Sequence, residues 1–235
     1  MPTVVSAINV AIRAFSDPGD KVIIQQPVYD PFAELIKKTG RVMVNNGLIC
    51  NDGLYEMDFP LLEEQAADPD AKIMILCSPH NPVGRVWTKE ELARVGEICK
   101  KNNVLVIADE IHSDLVYAGY VHTPFALASD APHLLCTSLG KTFNVAGLRL
   151  ANIFSSSAEL KKQYDQEIDA YSYSASNTFG LEMVQAAYSP EGEAWLEELL
   201  VYLQGNVEVV SEWCQKHNVG FTAPQGTFLC WLDLG

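Results

Sequence analysis

Lys141, Ser138 and Arg149 are the residues whose types and spacing first suggest chemistry in this chain. They lie in the run TSLGKTFNVAGLR, where one lysine is surrounded by small and hydroxyl residues. Apolar residues on either side predict strands at 134–136 and 148–154, so the lysine is expected on a loop at a strand end. A desolvated lysine amine is a nucleophile that can form a Schiff base.

Ser138 and Arg149 are both able to bind a phosphate group. Together with a Schiff-base lysine they suggest a cofactor that carries an aldehyde and a phosphate, which means pyridoxal phosphate. The alternative is a surface lysine in a polar loop, and this stretch alone does not decide between the two. The decision depends on what the neighbouring elements bring to the same place.

Hydrophobic periodicity predicts helices and strands that alternate along much of the chain. Helices are predicted at 4–15, 32–38, 58–66, 88–101, 157–170, 178–188 and 191–216. Strands are predicted at 22–24, 41–45, 72–77, 104–108, 134–137, 148–154, 219–222 and 227–234, with a loop or short hairpin at 47–57. Thr88 and Glu91 form a capping-box pattern at the start of one helix. The strand–helix–strand run from 72 to 108 predicts a βαβ unit with a parallel strand pair.

Three of the predicted core strands are followed by polar residues. Asn81 follows strand 72–77, Asp109 follows strand 104–108, and Lys141 follows the strand that ends at 137. Open α/β sheets bind ligands at the carboxyl ends of their strands. We therefore expect these three residues to contribute to one site.

Asp109 and His112 each have a structural alternative to a functional role. A buried carboxylate must be paired or hydrogen-bonded. Paired with a pyridine nitrogen, Asp109 would keep that nitrogen protonated and make the ring an electron sink; otherwise it is a helix cap or part of an ion pair. His112 is either a core histidine or, with Asp114, part of a metal pair, although no further ligand has suitable spacing.

The remaining candidates are also open to two interpretations. Asn81, in a loop stiffened by prolines, suits an amide that meets a ring hydroxyl, or it is a turn asparagine. Tyr29 stacks on a cofactor ring or packs in the core. Arg149 binds a phosphate or pairs with an acidic residue. Val4 and Val5 begin a helix whose free amides could hold an anion, or they are only a helix start.

Bulk composition limits the classes of function. The chain has 235 residues, of which 48% are hydrophobic and 20% charged, and its net charge is -14. An acidic surface repels phosphate backbones, so nucleic-acid binding is not expected. The six cysteines form no CxxC pair, which favours a reducing cytosol. We find no signal pattern and no apolar run long enough for a membrane span, so no membrane association is expected.

The order of Tyr29, Asn81, Asp109, Lys141 and Arg149 carries a family resemblance. With the motifs PVYDP, NPVG, DEIH and SxxK, the chain resembles the fold-type-I pyridoxal-phosphate enzymes of the class I/II aminotransferase family. It looks most similar to the MalY/PatB type, the cystathionine β-lyases or C–S lyases. The features that point there are QPVYDPF, SPHNPVGRVW and DEIHSD.

The resemblance implies an α/β fold. It has a three-layer αβα large domain with a mostly parallel sheet at 1–217 and the start of a truncated small domain at 218–235. It implies that Lys141 is the catalytic residue, which forms a Schiff base with pyridoxal 5'-phosphate and moves the substrate Cα proton. The implied cofactor-binding residues are Lys141 itself, Asp109 at the ring nitrogen, Asn81 and His112 near the ring hydroxyl, Tyr29 stacked on the ring, and Ser138, Arg149, Val4 and Val5 at the phosphate.

The implied function is β-elimination from an amino acid, which cleaves the C–S bond of cystathionine or a cysteine-type substrate to pyruvate, ammonia and a thiol. A class I/II aminotransferase and a non-catalytic regulatory fragment are the alternatives. The resemblance also implies a cytoplasmic homodimer in amino-acid metabolism, with Ser176 and Asn177 in a loop near the dimer interface.

The chain departs from the family pattern at both ends. Family members are longer, with an N-terminal segment and a C-terminal domain whose arginine binds the substrate carboxylate. No residue of this sequence matches that arginine. Thr3 replaces the glycine that usually precedes the Val-Val pair. These departures leave open whether the chain by itself holds the cofactor and turns over.

Overall fold

The structure is a computed structural model and describes residues 1–51, 53–171 and 178–234. Its main sheet consists of β1 (Lys21–Ile24), β2 (Val42–Asn45), β5 (Ala71–Cys77), β6 (Leu105–Asp109), β7 (His133–Thr137) and β8 (Asn152–Ser155). The order across this sheet is β2-β1-β5-β6-β7-β8. Two short antiparallel pairs lie outside it, β3 (Ile49–Asn51) with β4 (Leu54–Glu56) and β9 (Gly220–Phe221) with β10 (Leu232–Asp233).

The main sheet is parallel except at one edge. β1 pairs in parallel with β2 and β5, and β5–β6 and β6–β7 are also parallel, whereas β8 runs antiparallel to β7. In this register Asp109 lies between Cys77 on β5 and Cys136 on β7. The carboxyl ends of three central strands therefore meet at one level, as the sequence predicted.

Helices pack on both faces of the sheet, and among the described residues two further helices come after its last strand in the sequence. They are α1 (Val4–Phe15), α2 (Pro31–Lys38), α3 (Phe59–Ala66), α4 (Lys89–Lys101), α5 (Phe125–Ala128), α6 (Leu139–Thr142), α7 (Ala158–Ala170), α8 (Thr178–Ala187) and α9 (Pro190–His217). A 3-10 turn covers Ala146–Leu148. In the part of the chain that the structure describes, no helix combines the length and apolar character that a membrane crossing requires.

Two apolar cores lie on opposite faces of the sheet. Ile73 and Ile75 of β5 pack in a core with α1, α2 and α7, whereas Met74 and Leu76 pack in a second core with α3, α4 and α5. Successive side chains of a strand point to opposite faces, so one strand supplies both cores. The predicted three-layer αβα fold with a mostly parallel sheet is confirmed.

Helix ends follow their sequence signals. The Thr88 hydroxyl accepts a hydrogen bond from the Glu91 amide, and the Glu91 carboxylate accepts one from the Thr88 amide, which confirms the predicted capping box at the start of α4. Thr3 caps α1 by accepting from the Ser6 amide at 3.0 Å. The residue that departs from the family pattern is therefore a competent helix cap.

Some predicted boundaries are wrong. The strand predicted from 148 begins at Asn152, because a 3-10 turn and a left-handed residue, Arg149, come first. The strand predicted at 227–234 is reduced to Leu232–Asp233. The residues before Leu232 instead contact loops at the end of the main sheet, where Gly226 forms an isolated β-bridge with Val116. The division into domains at 1–217 and 218–235 stays a prediction.

Candidate active site

A cavity of about 260 Å³ lies at the carboxyl ends of β5, β6 and β7. Each residue that the sequence singled out for the site lines it: Val4, Val5, Tyr29, Asn81, Asp109, His112, Ser138, Lys141 and Arg149. These residues are far apart in sequence, and the parallel register of the strands brings them together. Their individual roles stay predictions.

Asp109 is the last residue of β6 and is 5% exposed. One of its oxygens accepts a hydrogen bond from the Ile111 amide at 3.1 Å. Burial raises the pKa of this carboxyl to about 7; the Ile111 hydrogen bond and Lys141 act in the opposite direction, and Glu110 adds to the rise. Burial therefore disfavours the charged form of Asp109, and a cation beside this carboxylate would stabilise it.

His112 lies in the turn after β6 and is 2% exposed. Neither of its ring nitrogens has a hydrogen-bond partner among the described residues. Burial, followed by the nearby Lys141 charge, lowers the pKa of His112 to about 4. A neutral imidazole with two unpaired nitrogens at a cavity wall is costly unless a ligand pairs with one of them.

Tyr29 and Asn81 come from two loops that are tied to each other. The fully buried His80 contacts the Pro27 carbonyl through Nε2 at 2.9 Å, which joins the loop before α2 to the loop after β5. The ring of Tyr29 meets Phe32 edge to face at 5.7 Å, and burial, with Asp109 as the second cause, raises the pKa of its hydroxyl. His80 was not among the predicted site residues, although it lies within the quoted SPHNP motif.

Lys141 lies in α6 and not on an open loop, which corrects the sequence prediction. Ser138 caps this short helix by accepting from the Gly140 amide at 3.0 Å. Its hydroxyl proton is donated to the Leu150 carbonyl at 2.6 Å. In this arrangement Ser138 has no proton left for a phosphate oxygen, because a hydroxyl has a single donor. A phosphate role requires the hydroxyl to release Leu150.

Arg149 follows the 3-10 turn with a left-handed backbone, φ 48° and ψ 68°. No carboxylate of residues 1–51, 53–171 or 178–234 lies within ion-pair distance of its guanidinium. Val4 and Val5, the first residues of α1, line the same cavity, and their amides lack partners within the helix. A guanidinium and a helix start both suit an anion, so Val4, Val5 and Arg149 are together called the predicted anion-binding wall.

Two further residues were missed by sequence reasoning. Phe228, from the C-terminal segment, lies with its ring centroid 5.9 Å from Lys141 Nζ. Thr142 donates a hydrogen bond to Asp114 beside the same lysine. No local pattern identifies Phe228, because its position depends on contacts with residues that are distant in the sequence. The predicted interface residues Ser176 and Asn177 lie outside the described residues.

The arrangement allows specific chemistry. An amine, a buried carboxylate and an unpaired imidazole meet the predicted anion-binding wall within one cavity. In the part of the chain that the structure describes, no group of three or more His, Cys, Asp or Glu residues could hold a metal ion. These side chains suit a ligand that has an anionic end, a polar ring and a group that reacts with an amine.

Comparison with known proteins agrees with this geometry. The model of the aminotransferase class I and II family matches residues 2–235. Cystathionine beta-lyase PatB of Bacillus subtilis is 38% identical over 99% of this chain and 61% of its own length. Protein MalY of Escherichia coli is 33% identical over 99% of this chain and 60% of its own length.

The fold is also similar to that of a solved structure. The pyridoxal-phosphate-bound C–S lyase of Staphylococcus hominis superposes with a TM-score of 0.93 at 34% identity, over 99% of this chain and 59% of that one. The chain thus spans about three fifths of the length of the relatives it matches. The chain belongs to the aminotransferase class I and II family, in which it is similar to relatives of the MalY/PatB type.

Proposed function

We propose that this chain carries the cofactor site of a pyridoxal-phosphate-dependent C–S lyase. The observation that carries the proposal is the buried Asp109 carboxylate, which faces the same cavity as Lys141 and the unpaired His112. The names of two relatives, a cystathionine β-lyase and a C–S lyase, support the same reaction class.

The residues present fit pyridoxal phosphate. Asp109 would hold the ring nitrogen in its protonated form, because a cation relieves the cost of the buried carboxylate. His112 and Asn81 would face the ring hydroxyl, and Tyr29 would lie against the ring. Arg149, the α1 amides and a reoriented Ser138 would hold the phosphate. When bound, the cofactor supplies an aldehyde for the amine and a ring that accepts electron density from the substrate Cα.

The chain's own residues then account for proton movement. Lys141 accepts the proton from the substrate Cα, because its amine is the basic group at the reacting end of the cavity. The Cβ–S bond breaks and its electron pair leaves on sulfur, which gains a proton to become a thiol. With one molecule of water, the remaining three-carbon unit gives pyruvate and ammonia.

We propose cystathionine and other cysteine S-conjugates as the substrates and a second copy of this chain as the partner. Large apolar side chains on α9, including Val201, Tyr202 and Val209, are more than half exposed. Such a surface favours an interface. A cytoplasmic location is supported by six free cysteines, since reduced thiols are typical of that compartment.

The first experiment adds pyridoxal phosphate to the purified chain. We expect the absorbance band of the protein-bound cofactor, and mass spectrometry after borohydride reduction should find the cofactor mass on the peptide that contains Lys141. Lys141→Ala should abolish both signals, whereas Lys162→Ala, at an exposed position on α7, should retain them. A band that survives Lys141→Ala would refute the assignment of the lysine.

The second experiment separates the reaction classes by product analysis. Pyruvate and a thiol from cystathionine support the lyase. A keto acid with its carbon skeleton intact would instead identify an aminotransferase, which the family name keeps as the second candidate. Cofactor binding without turnover of either kind, together with a stable partner protein, would indicate a regulatory role.

A further inference from the structure

Phe228 lies beside Lys141 and His112, two residues that line the cavity, although it comes from the far end of the chain. Its ring centroid is 5.9 Å from Lys141 Nζ. The same ring meets the His112 imidazole edge to face, with centroids 5.6 Å apart and planes at 82°. Phe228 is 43% exposed, so part of its surface is available to a ligand.

The segment that carries Phe228 is attached firmly to the site loops. Thr227 is fully buried, and its amide donates to the Leu115 carbonyl at 2.7 Å. The Gln225 amide donates to the Gly84 carbonyl at 2.8 Å. Thr227 has a φ of 69°, which is unfavourable for a β-branched residue and persists only where surrounding contacts over-determine it. The position of Phe228 beside Lys141 is therefore set by the fold.

A substrate must bring its amino group to the position of Lys141 Nζ, because the two amines exchange there. The substituents of the adjacent Cα then come within reach of the Phe228 ring. A phenyl ring offers no hydrogen-bond donor or positive charge, so it does not suit the carboxylate. It does suit a side chain with sulfur, since a thioether packs favourably against an aromatic ring.

We infer that Phe228 is a specificity-determining residue whose ring contacts the sulfur-bearing side chain of the substrate and favours thioether amino acids. This inference rests on the proposed lyase function. It assigns to the C-terminal segment a role in substrate selection. The cofactor residues cannot supply it, because Asp109 and His112 would face the cofactor ring and Lys141 meets the amino group and Cα proton that all amino-acid substrates share.

The test compares two substrates that differ in the leaving group. S-methylcysteine carries a thioether, whereas β-chloroalanine has no sulfur, and both give pyruvate and ammonia on elimination. With the holoenzyme, Phe228→Ala should lower kcat/KM for S-methylcysteine about threefold to tenfold, mainly through KM. The value for β-chloroalanine should change less than about twofold. Phe228→Leu, which retains apolar area, should fall between these results, and Phe154→Ala on β8 should resemble wild type.

A binding measurement gives a second readout. Methionine and norleucine differ by a sulfur in place of a methylene, and neither has a leaving group on Cβ. Calorimetry on the holoenzyme should show that wild type prefers methionine and that Phe228→Ala removes the preference. Unchanged cofactor absorbance and circular dichroism would show that the variant is folded.

The outcomes separate the two proposals. If wild type eliminates neither substrate, the proposed lyase function is wrong and this inference falls with it. If wild type is active but Phe228→Ala loses activity equally on both substrates, or keeps the methionine preference, the role of Phe228 is wrong and the lyase proposal stands.

Discussion

The carboxylate of Asp114 accepts a hydrogen bond of 2.9 Å from the hydroxyl of Thr142. Thr142 is the neighbour of Lys141 and is buried, whereas Asp114 lies in the loop after β6. The contact joins the short helix that carries the lysine to the loop that follows Asp109. We therefore expect this hydrogen bond to help hold the Lys141 amine in place relative to the Asp109 carboxylate.

Thr142→Val removes the hydroxyl with almost no change of volume. We expect the free energy of unfolding to fall by about 1–2 kcal/mol, because a hydrogen bond to a charged group is lost in a partly buried place. We also expect slower reaction of Lys141 with pyridoxal phosphate. Urea unfolding and stopped-flow absorbance measure these two effects. Thr142→Ser, which keeps the hydroxyl, is the control; equal reaction rates for all three proteins would show that the bond does not position the lysine.

Asp109 makes the stability of the ligand-free chain depend on pH. The pKa of this carboxyl is 3.8 in the unfolded reference and about 7 in the fold, so the folded state binds the proton more tightly. Stability from this group is fully present below about pH 4 and is lost as pH rises to about 7, by on the order of 4 kcal/mol in total. Denaturant unfolding across this window should show that Asp109→Asn removes that loss.

Two comparisons make the Asp109 prediction specific. Asp169→Asn, at an exposed position near the end of α7, should keep the wild-type dependence. Saturation with pyridoxal phosphate should suppress the dependence in wild type, because a protonated ring nitrogen stabilises the charged carboxylate. If the difference between wild type and Asp109→Asn is the same at both ends of the window, the carboxyl does not titrate as stated.

Arg149→Gln should weaken binding of pyridoxal phosphate about tenfold or more, since a charged bidentate contact is lost. Binding of pyridoxal, which has no phosphate, should change little. Fluorescence titration with both ligands gives the two affinities. Arg94→Gln, at an exposed arginine of α4, should behave as wild type. A matching loss of affinity for pyridoxal would place Arg149 away from the phosphate.

The guanidinium of Arg85 is buried and depends on one carboxylate. Glu91 accepts hydrogen bonds from Arg85 Nη2 with both oxygens, at 2.8 and 2.9 Å. Glu91→Ala leaves this charge without its partner and removes half of the capping box, so we expect a loss of about 3 kcal/mol in the free energy of unfolding. Glu97→Ala, on the exposed face of the same helix, should cost less than about 0.5 kcal/mol. Equal losses in the two variants would contradict the structural role of the pair.

Much of the fold was predictable because its signals are local. The capping box of α4 and the apolar runs of β5 and β6 need only neighbouring residues, and both were predicted at nearly their observed positions. The strand predicted from 148 was wrong at its start, because the local apolar pattern does not show where the backbone turns. The residues after Lys141 are apolar enough for a strand, but the backbone turns at Arg149 to bring its side chain to the cavity wall.

The sequence by itself determined the order of the chemical groups, from Tyr29 through Asp109 to Lys141, and the strands that carry them. It did so because hydrophobic periodicity and motif order are properties of the linear chain. Only the tertiary structure decided that the Ser138 hydroxyl is already engaged and that the His112 ring has no hydrogen-bond partner among the described residues. It also decided that Phe228 reaches the lysine. These facts depend on contacts between residues distant in sequence, where burial and hydrogen-bond partners are set by packing and not by local pattern.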